Sequence, residues 1–569
     1  MGAYGNTDVA AKTPTVTATL PAISNPGVGF RSHTVANLGA TLSDDGGQLP
    51  DVAFHYWESG TTATNTVPAG MREVGTFIWP VSGLVSGLTY EYRVSAANGA
   101  GTAWSGVSSF SMLPVNATIY VSSSGDNTDA STWATAYTDP TVAFASAESG
   151  DTIRLAGETF AAAPGFALTY VYLVDAKDNV RIEGGYQGVG ATPGPRDPAQ
   201  WPTILARNTS AANASVLKIQ NSTGIVLDGV TITGGKYIQG GGLYLAGSAQ
   251  SVLVENCIIT NNLVPAAGNT TDGGAGVFLA SGSAVVTNCV VAGNKIVSAG
   301  LDNYYGPGGG IRLSGGTMTL RNSTIANNVA EGNNKNTLPP YTRGADGGGI
   351  YVGAGAVLDI GESVVTNNRA QQGAYPCWTR GGGIANVGGT ARLRNVLVAG
   401  NTTSRPENDP SSGIYSRETA AKTHLESCTI VSNDFNAATA VGVRYAAGTL
   451  SITNSIVWGH AAGDLSNLPV DGAVLRNVGW SLFNDAAMDG VAGCISADPL
   501  FRNPGMMDFT LQDGRHGAAG VSPAIDSGLR LPWMTGAVDL AGGKRLQSGA
   551  VDMGAYEVAG PRATLFLIR

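Results

Sequence analysis

The sequence predicts an all-β chain, a short β-sandwich followed by a long parallel β-helix. Three observations carry the prediction. Helix-favouring Lys and Glu are scarce, while β-branched residues and turn formers abound. Residues 12–113 hold short alternating runs broken by turns. From about residue 240, a two-part unit recurs roughly every 32 residues, which is the mark of a stacked solenoid.

Composition narrows the functional classes. Charged residues make up 13% of the chain, about half the usual share. There are 80 glycines, but they follow no strict Gly-X-Y period, so a collagen-like helix is excluded. The net charge of -9 includes no basic run, and a phosphate backbone needs clustered Lys and Arg, so nucleic acid is excluded as a partner. No apolar run is long enough to span a membrane. Met1–Asn6 lacks the basic and apolar parts of a secretory signal. Five cysteines are too few for a disulfide scaffold, and the odd number leaves at least one unpaired.

Within residues 12–113, alternating runs occupy Thr15–Leu20, His33–Leu42, Val52–Trp57, Thr76–Trp79 and Tyr90–Ala96. The turn Gly83-Leu84-Val85-Ser86-Gly87 leads into a strand that places Tyr90, Tyr92 and Val94 on one face. A hairpin at Gly99-Ala100-Gly101 follows, and Trp104–Phe110 returns. Short strands and frequent turns suit a two-sheet sandwich. The Gly-Leu-x-x-Gly-x-x-Tyr-x-Tyr-Arg-Val segment over 83–94 resembles fibronectin type III, which implies a spacer module before a binding one. Met112–Asn116 reads as a short linker to a second domain over 117–560.

The repeat defines that second domain. One part is Gly-Gly-hydrophobic, with its second glycine at Gly242, Gly276, Gly310, Gly349 and Gly383, and in weaker copies at Gly413 and Gly442. The other is a strand ending at asparagine, at Asn262, Asn294, Asn328, Asn368, Asn401 and Asn433. Each unit is too small to bury an apolar face alone, and stacking coil on coil closes a continuous core. The asparagines are expected at left-handed turn positions, bonded amide to carbonyl along a ladder. Cys257, Cys289 and Cys428 share one inward position with Ser323, Val396 and Ser455, a stack of small buried side chains. Val142–Ser149 is the best helix candidate, suited to capping the first coil.

Further pieces carry a family resemblance. They are Ile119-Tyr120-Val121, Trp133, Tyr137, Gly150-Asp151, Gly184-Gly185-Tyr186, Arg196-Asp197-Pro198, Pro202–Leu205, Asp498-Pro499-Leu500-Phe501, Ser522–Gly528 and Met553–Glu557. With the repeats, the set resembles bacterial surface β-helix proteins related to polymorphic outer-membrane proteins and to proteins with sorted C-terminal anchors. The resemblance implies a right-handed, pectate-lyase-like parallel β-helix on an exported or cell-surface protein, with no settled activity.

Met1-Gly2-Ala3-Tyr4 repeats Met553-Gly554-Ala555-Tyr556. Residues 1–11 therefore read as the terminal strand of a preceding β-helix module, and 561–569 as an apolar tail. Head-to-tail self-association through that tail is one expectation, tested by the size of the particle with and without it.

Inserted loops fall along one side of a stacked helix. They bring Tyr304, Tyr305, Tyr341, Tyr375 and Trp378 beside charged residues, a pattern suited to an extended glycan whose sugars stack on rings. Arg343, Asp346 and Arg380 are the catalytic candidates. A hydrolase needs paired carboxylates, for which Asp272 and Asp346 are placed two repeats apart. A lyase needs a base and a group neutralising the uronate carboxylate, sometimes Ca²⁺. The same residue pairs also serve ordinary turn and solvation chemistry. The five histidines, at 33, 55, 424, 460 and 516, form no ligand spacing, so no metal site is expected, and no cofactor is implied beyond the lyase's Ca²⁺. The leading reading is a structural or adhesive module of an exported, repetitive or self-assembling surface protein that binds glycans. The alternative is a polysaccharide lyase or glycoside hydrolase. Converging open carboxylates on the loop side would favour the enzyme, and a self-contacting face the scaffold.

Overall fold

A computed structural model describes residues 18–163, 167–247, 249–265, 273–298, 303–335, 344–404, 411–433, 441–467, 475–515, 520–547 and 549–558. They fall into two compact units, one within Met1–Thr138 and Ser146–Asp151, the other within Asp139–Ala145 and Thr152–Arg569. The readings placed on 1–11 and 561–569 lie outside the described residues.

The first unit contains an antiparallel sandwich. One sheet joins Ala22–Ser24, Val28–Arg31, Val35–Asp44 and Gly75–Ser82, and the other joins Asp51–Glu58, Asn65–Met71, Thr89–Asn98, Gly101–Trp104 and Ser108–Ser111. Alternation directs Leu38, Leu42, Phe54, Tyr92 and Val94 into one core. Tyr92 keeps its hydroxyl in this core by donating to the carbonyls of Gly27 (2.8 Å) and Gly39 (3.1 Å). The strand expected from His33 begins at Val35 instead. Ser32 closes a turn by accepting the Val35 N–H on its hydroxyl, and His33 turns away to a buried hydrogen bond between its Nε2 and Asp151 Oδ2 at 2.7 Å.

The helix lies at Pro140–Ser146, earlier than Val142–Ser149. Asp139 accepts the Thr141 N–H at 2.8 Å as a cap, and Pro140 tolerates the first turn because its missing N–H is not needed there. Phe144 packs edge-to-face on Tyr172 in the second unit's first coil, at 5.9 Å.

The second unit is a stack of parallel coils. Its two main sheets are a long one that bends within each coil and a ten-stranded one from Tyr170–Asp175 to Leu465–Asn467. Register runs residue for residue from coil to coil: Leu217, Leu243, Val277, Ile311, Ile350, Ile384, Ile414 and Val443 form one inward row of the ten-stranded sheet. Ile232, Ile259, Val291, Ile325, Val365, Val398, Ile430 and Val457 form another in the long sheet.

The asparagine ladder exists, with one correction to its backbone. Each Nδ2 donates to the next Oδ1: Asn262 to Asn294 (3.0 Å), Asn294 to Asn328 (3.0 Å), Asn328 to Asn368 (2.9 Å), Asn368 to Asn401 (3.0 Å) and Asn401 to Asn433 (2.9 Å). The left-handed residue is the one before: Asn261, Gly293, Asn327, Asn367, Gly400 or Ser432. That residue turns the chain, and the ladder asparagine then points inward. The ladder ends on a different residue type. Asn433 meets His460 Nε2 at 3.3 Å, and His460 Nδ1 meets Asp464 at 3.0 Å.

Glycine and asparagine motifs interlock. A Cβ on Gly276 would stand 2.8 Å from Asn294 Nδ2 and 2.7 Å from the Gly310 carbonyl. The same collision recurs at Gly242 with Asn262, and at Gly310 with Asn328. The second glycine of each pair is therefore required by close approach.

Small residues stack one position after a second left-handed corner: Cys257, Cys289, Ser323, Ser363, Cys428 and Ser455, all buried, follow Asn256, Asn288, Asn322, Glu362, Ser427 and Asn454. The closing segment folds over the outer face of the long sheet. There Phe501, Phe509, Leu511, Ala524 and Met553 bury Leu397, Ala399, Val431, Ile456 and Leu482.

Candidate functional site

The ten-stranded sheet's outer row is rich in rings and cations. In register, Leu173, Lys218, Tyr244, Phe278, Arg312, Tyr351, Ala385, Tyr415 and Arg444 follow one another on successive coils. Coil spacing of about 4.8 Å lets Lys218 and Arg312 lie over neighbouring rings. Lys218 Nζ is 5.2 Å from the Tyr244 ring and 5.7 Å from that of Tyr170. Tyr244 stacks on Phe278 at 5.4 Å. Arg312 bridges Phe278 (5.4 Å) and Tyr351 (5.6 Å).

The row is closed over most of its length. Phe278 is 3% exposed, Arg312 and Tyr351 8%, and Tyr415 2%. Lys218 and Tyr244 are half-buried. Beside this open end lies a cleft of about 450 Å³, lined by Phe144, Leu168, Tyr170, Leu173, Asp175 and Lys177 among others. Asp175 is fixed at its rim by Gln220 Nε2 (2.8 Å) and Asn221 Nδ2 (3.1 Å).

The inserted loops build a small parallel sheet of Gly306–Pro307, Gly344–Asp346 and Trp378–Arg380. Its register sets Asp346 beside Arg380. Arg380 Nε donates to Asp346 Oδ1 (2.9 Å) and Nη2 to Oδ2 (3.3 Å), while the Tyr305 hydroxyl donates to Oδ2 at 2.7 Å. Arg380 Nη1 also donates to the Tyr415 hydroxyl (3.1 Å), and the guanidinium lies 4.3 Å from the Trp378 ring. Asp346 is 0% exposed and Arg380 5%. Burial, together with Asp346 and Tyr351 nearby, raises the Tyr305 hydroxyl well above the usual tyrosine range.

The sequence candidates thus separate. Tyr305, Trp378, Asp346 and Arg380 converge on one another. Tyr304 is a core residue packed with Val264, Ala275 and Ile296. Tyr375 is held apart, its N–H on Asn333 Oδ1 at 2.9 Å and its ring 5.8 Å from Lys335 Nζ. Tyr341, Arg343 and Asp272 lie outside the described residues. Sequence reasoning missed Lys218 and Tyr244, which stand on regular strands; for Tyr244 the signal was an aromatic or charged residue one place after the inward aliphatic in most Gly-Gly units, and Lys218 precedes the first such unit.

A second polar cleft, of about 210 Å³, lies on the long sheet's outer face and is lined by Asp359, Arg392, Arg394, His424 and Glu426. Asp359, Arg392 and His424 share one outer row. Arg394 pairs with Glu426 at 3.0 Å and lies 4.4 Å from the Trp533 ring. Burial and the nearby Arg392 lower the pKa of His424. Among the described residues, no three His, Cys, Asp or Glu side chains gather as metal ligands, and no helix is long and apolar enough to cross a membrane.

Residues 178–403 match the family model described as right handed beta helix region, which agrees with the stacked coils. The second unit is a right-handed parallel β-helix, and the chain pairs it with an N-terminal β-sandwich. No curated protein matches the sequence. Among solved structures, the chain is similar to pectate lyase Pel9A, with 13% identity and a TM-score of 0.44, covering 77% of this chain and 96% of that one. It is similar to the Family 28 exopolygalacturonase of Yersinia enterocolitica, with 10% identity and a TM-score of 0.19, covering 80% and 99%. A human fibronectin type-III domain is 19% identical with a TM-score of 0.14, covering 18% of this chain and 94% of its own. None of these likenesses assigns chemistry to this chain.

Proposed function

We propose that the protein is a structural, glycan-binding module of an exported surface protein, and that it holds an acidic polysaccharide without cleaving it. The observation that carries this reading is the open end of the ring-and-cation row. Tyr170 and Tyr244 offer faces for pyranose stacking, Lys218 between them offers an ammonium for a uronate, and the adjoining cleft gives a neighbouring sugar room. The loop face supports the non-catalytic half of the reading. Its carboxylate and arginine are spent on each other and closed to solvent, so neither reaches a polymer. Binding to an immobilised polyuronate should weaken at least about fivefold in Lys218→Ala and in Tyr244→Ala, the scale of one cation or ring contact. The Lys218 contribution should fade with added salt. Binding unchanged in both variants would sink the reading.

The enzyme alternative finds its support in the Arg392, His424 and Glu426 cleft, where arginines, an imidazole and carboxylates meet at an open surface. Release of unsaturated or reducing ends from a polyuronate, abolished in Arg392→Ala, would establish it. No release across neutral pH with added Ca²⁺ would dismiss it.

A further inference from the structure

All five cysteines are buried thiols, but two of them have a relation the others lack. Cys257 and Cys289 hold the same place on consecutive coils, flanked by the registered pairs Glu255 with Thr287 and Ile258 with Val290. Neighbouring parallel strands lie about 4.8 Å apart, inside the Cα separation of about 4.4–6.8 Å that a disulfide spans. Both side chains point into the coil. The Cys257 N–H donates to Cys289 Sγ at 3.4 Å. Cys428 stands on the same stack between Val396 and Ser455: Leu397 and Thr429 are registered beside it, and its N–H donates to Ser455 Oγ at 3.1 Å. Cys377 precedes the loop strand Trp378–Arg380, and Cys494 lies in the closing segment.

We infer that Cys257 and Cys289 form a disulfide that clamps two consecutive coils when the chain folds in an oxidising compartment. The oxidant is a small disulfide such as glutathione disulfide. Cys289 loses its proton and its thiolate attacks one sulfur of that oxidant, expelling a thiolate that takes up a proton. Cys257, deprotonated in turn, attacks Cys289 Sγ and expels the second half as thiol. Two protons and two electrons pass to the oxidant, and one Sγ–Sγ bond replaces two S–H bonds. Exchanging the roles of the two cysteines gives the same bond by the same two steps. Each residue is 1% exposed in the folded chain, so the exchange belongs to folding, before the coils close. This inference does not depend on the glycan reading.

The test compares the full chain exported to an oxidising bacterial periplasm, the full chain made in a reducing cytosol, and the cytosolic chain refolded in a glutathione redox buffer. Each is denatured in an alkylating reagent and peptide-mapped. The cytosolic chain should carry five alkylated cysteines. The exported and refolded chains should carry three, with Cys257 and Cys289 in one linked peptide. In Cys289→Ser, whose hydroxyl the same stack already accommodates at Ser323 and Ser363, four should be alkylated everywhere. Five alkylated cysteines in soluble exported or refolded protein, or a bond through Cys377, Cys428 or Cys494, overturns the inference.

Discussion

At the scale of single residues, the fold depends on side chains that satisfy one another in rows. Asn328 donates to Asn368 Oδ1 (2.9 Å) and to the Val291 carbonyl (2.9 Å), and accepts from Asn294 Nδ2 (3.0 Å). Asn328→Leu would orphan several buried partners, each costing about 1–3 kcal/mol. Urea unfolding should lose at least about 3 kcal/mol; a loss under about 1 kcal/mol would mean that the ladder is ornamental. Glu557 is a second case. Burial, only partly offset by Arg545, raises its carboxyl to about 8. A carboxyl that keeps its proton in the folded chain, and releases it near 4.5 when unfolded, contributes stability that is complete below about 4.5 and is lost as pH rises through about 8. The unfolding midpoint should therefore fall between about pH 5 and 8, and Glu557→Gln should flatten that slope. The ladder asparagines were legible from spacing alone. Their backbone was not, because a left-handed residue and an inward-pointing residue are adjacent in sequence, and either could have carried the asparagine.

At the scale of elements, the Gly-Gly unit and the asparagine strand, read as two motifs, are one contact. The glycine lacks a Cβ because the ladder amide occupies that space. The inserted loops behave differently from the strands. They form their own parallel sheet and place Asp346 against Arg380. A buried pair is costly to break from one side and cheap to replace whole. Arg380→Met should destabilise the chain by about 3–5 kcal/mol, while Arg380→Met with Asp346→Leu should recover most of that loss. Thermal unfolding of the single and double variants checks this, and a double variant no better than the single would show that the pair does more than fill space. Sequence reading selected both residues for their chemistry. Each stands immediately before a Gly-Gly-Gly triplet, so their shared register was legible, but not that the two side chains turn onto each other instead of to solvent.

At the scale of the whole chain, stability is a sum over neighbouring coils. Each inner coil is buried by two others, and each end coil has one coil neighbour plus whatever segment covers it. Hydrogen exchange should therefore be slowest at the amides of Asn294, Asn328 and Asn368, and faster toward Leu482–Phe483 and Phe501–Leu511. Uniform protection along the stack would mean that the second unit opens only as one body. The outer surface does not follow the coil-by-coil sum. Its open strip at Tyr170, Lys218 and Tyr244 and its Arg392 cleft arise because parallel register brings residues far apart in sequence onto neighbouring coils of one face.

By itself, the sequence determined the all-β class, the stacked parallel coils, the asparagine ladder and the small-residue stack. Those features repeat, and a repeat reports its own contacts: whatever one coil presents, the next must match. Only the tertiary structure decided which surface is open and which charged candidates are closed on each other. These depend on loop length and on side chains that do not recur, so their partners are set by where the coils stack and not by any spacing along the chain.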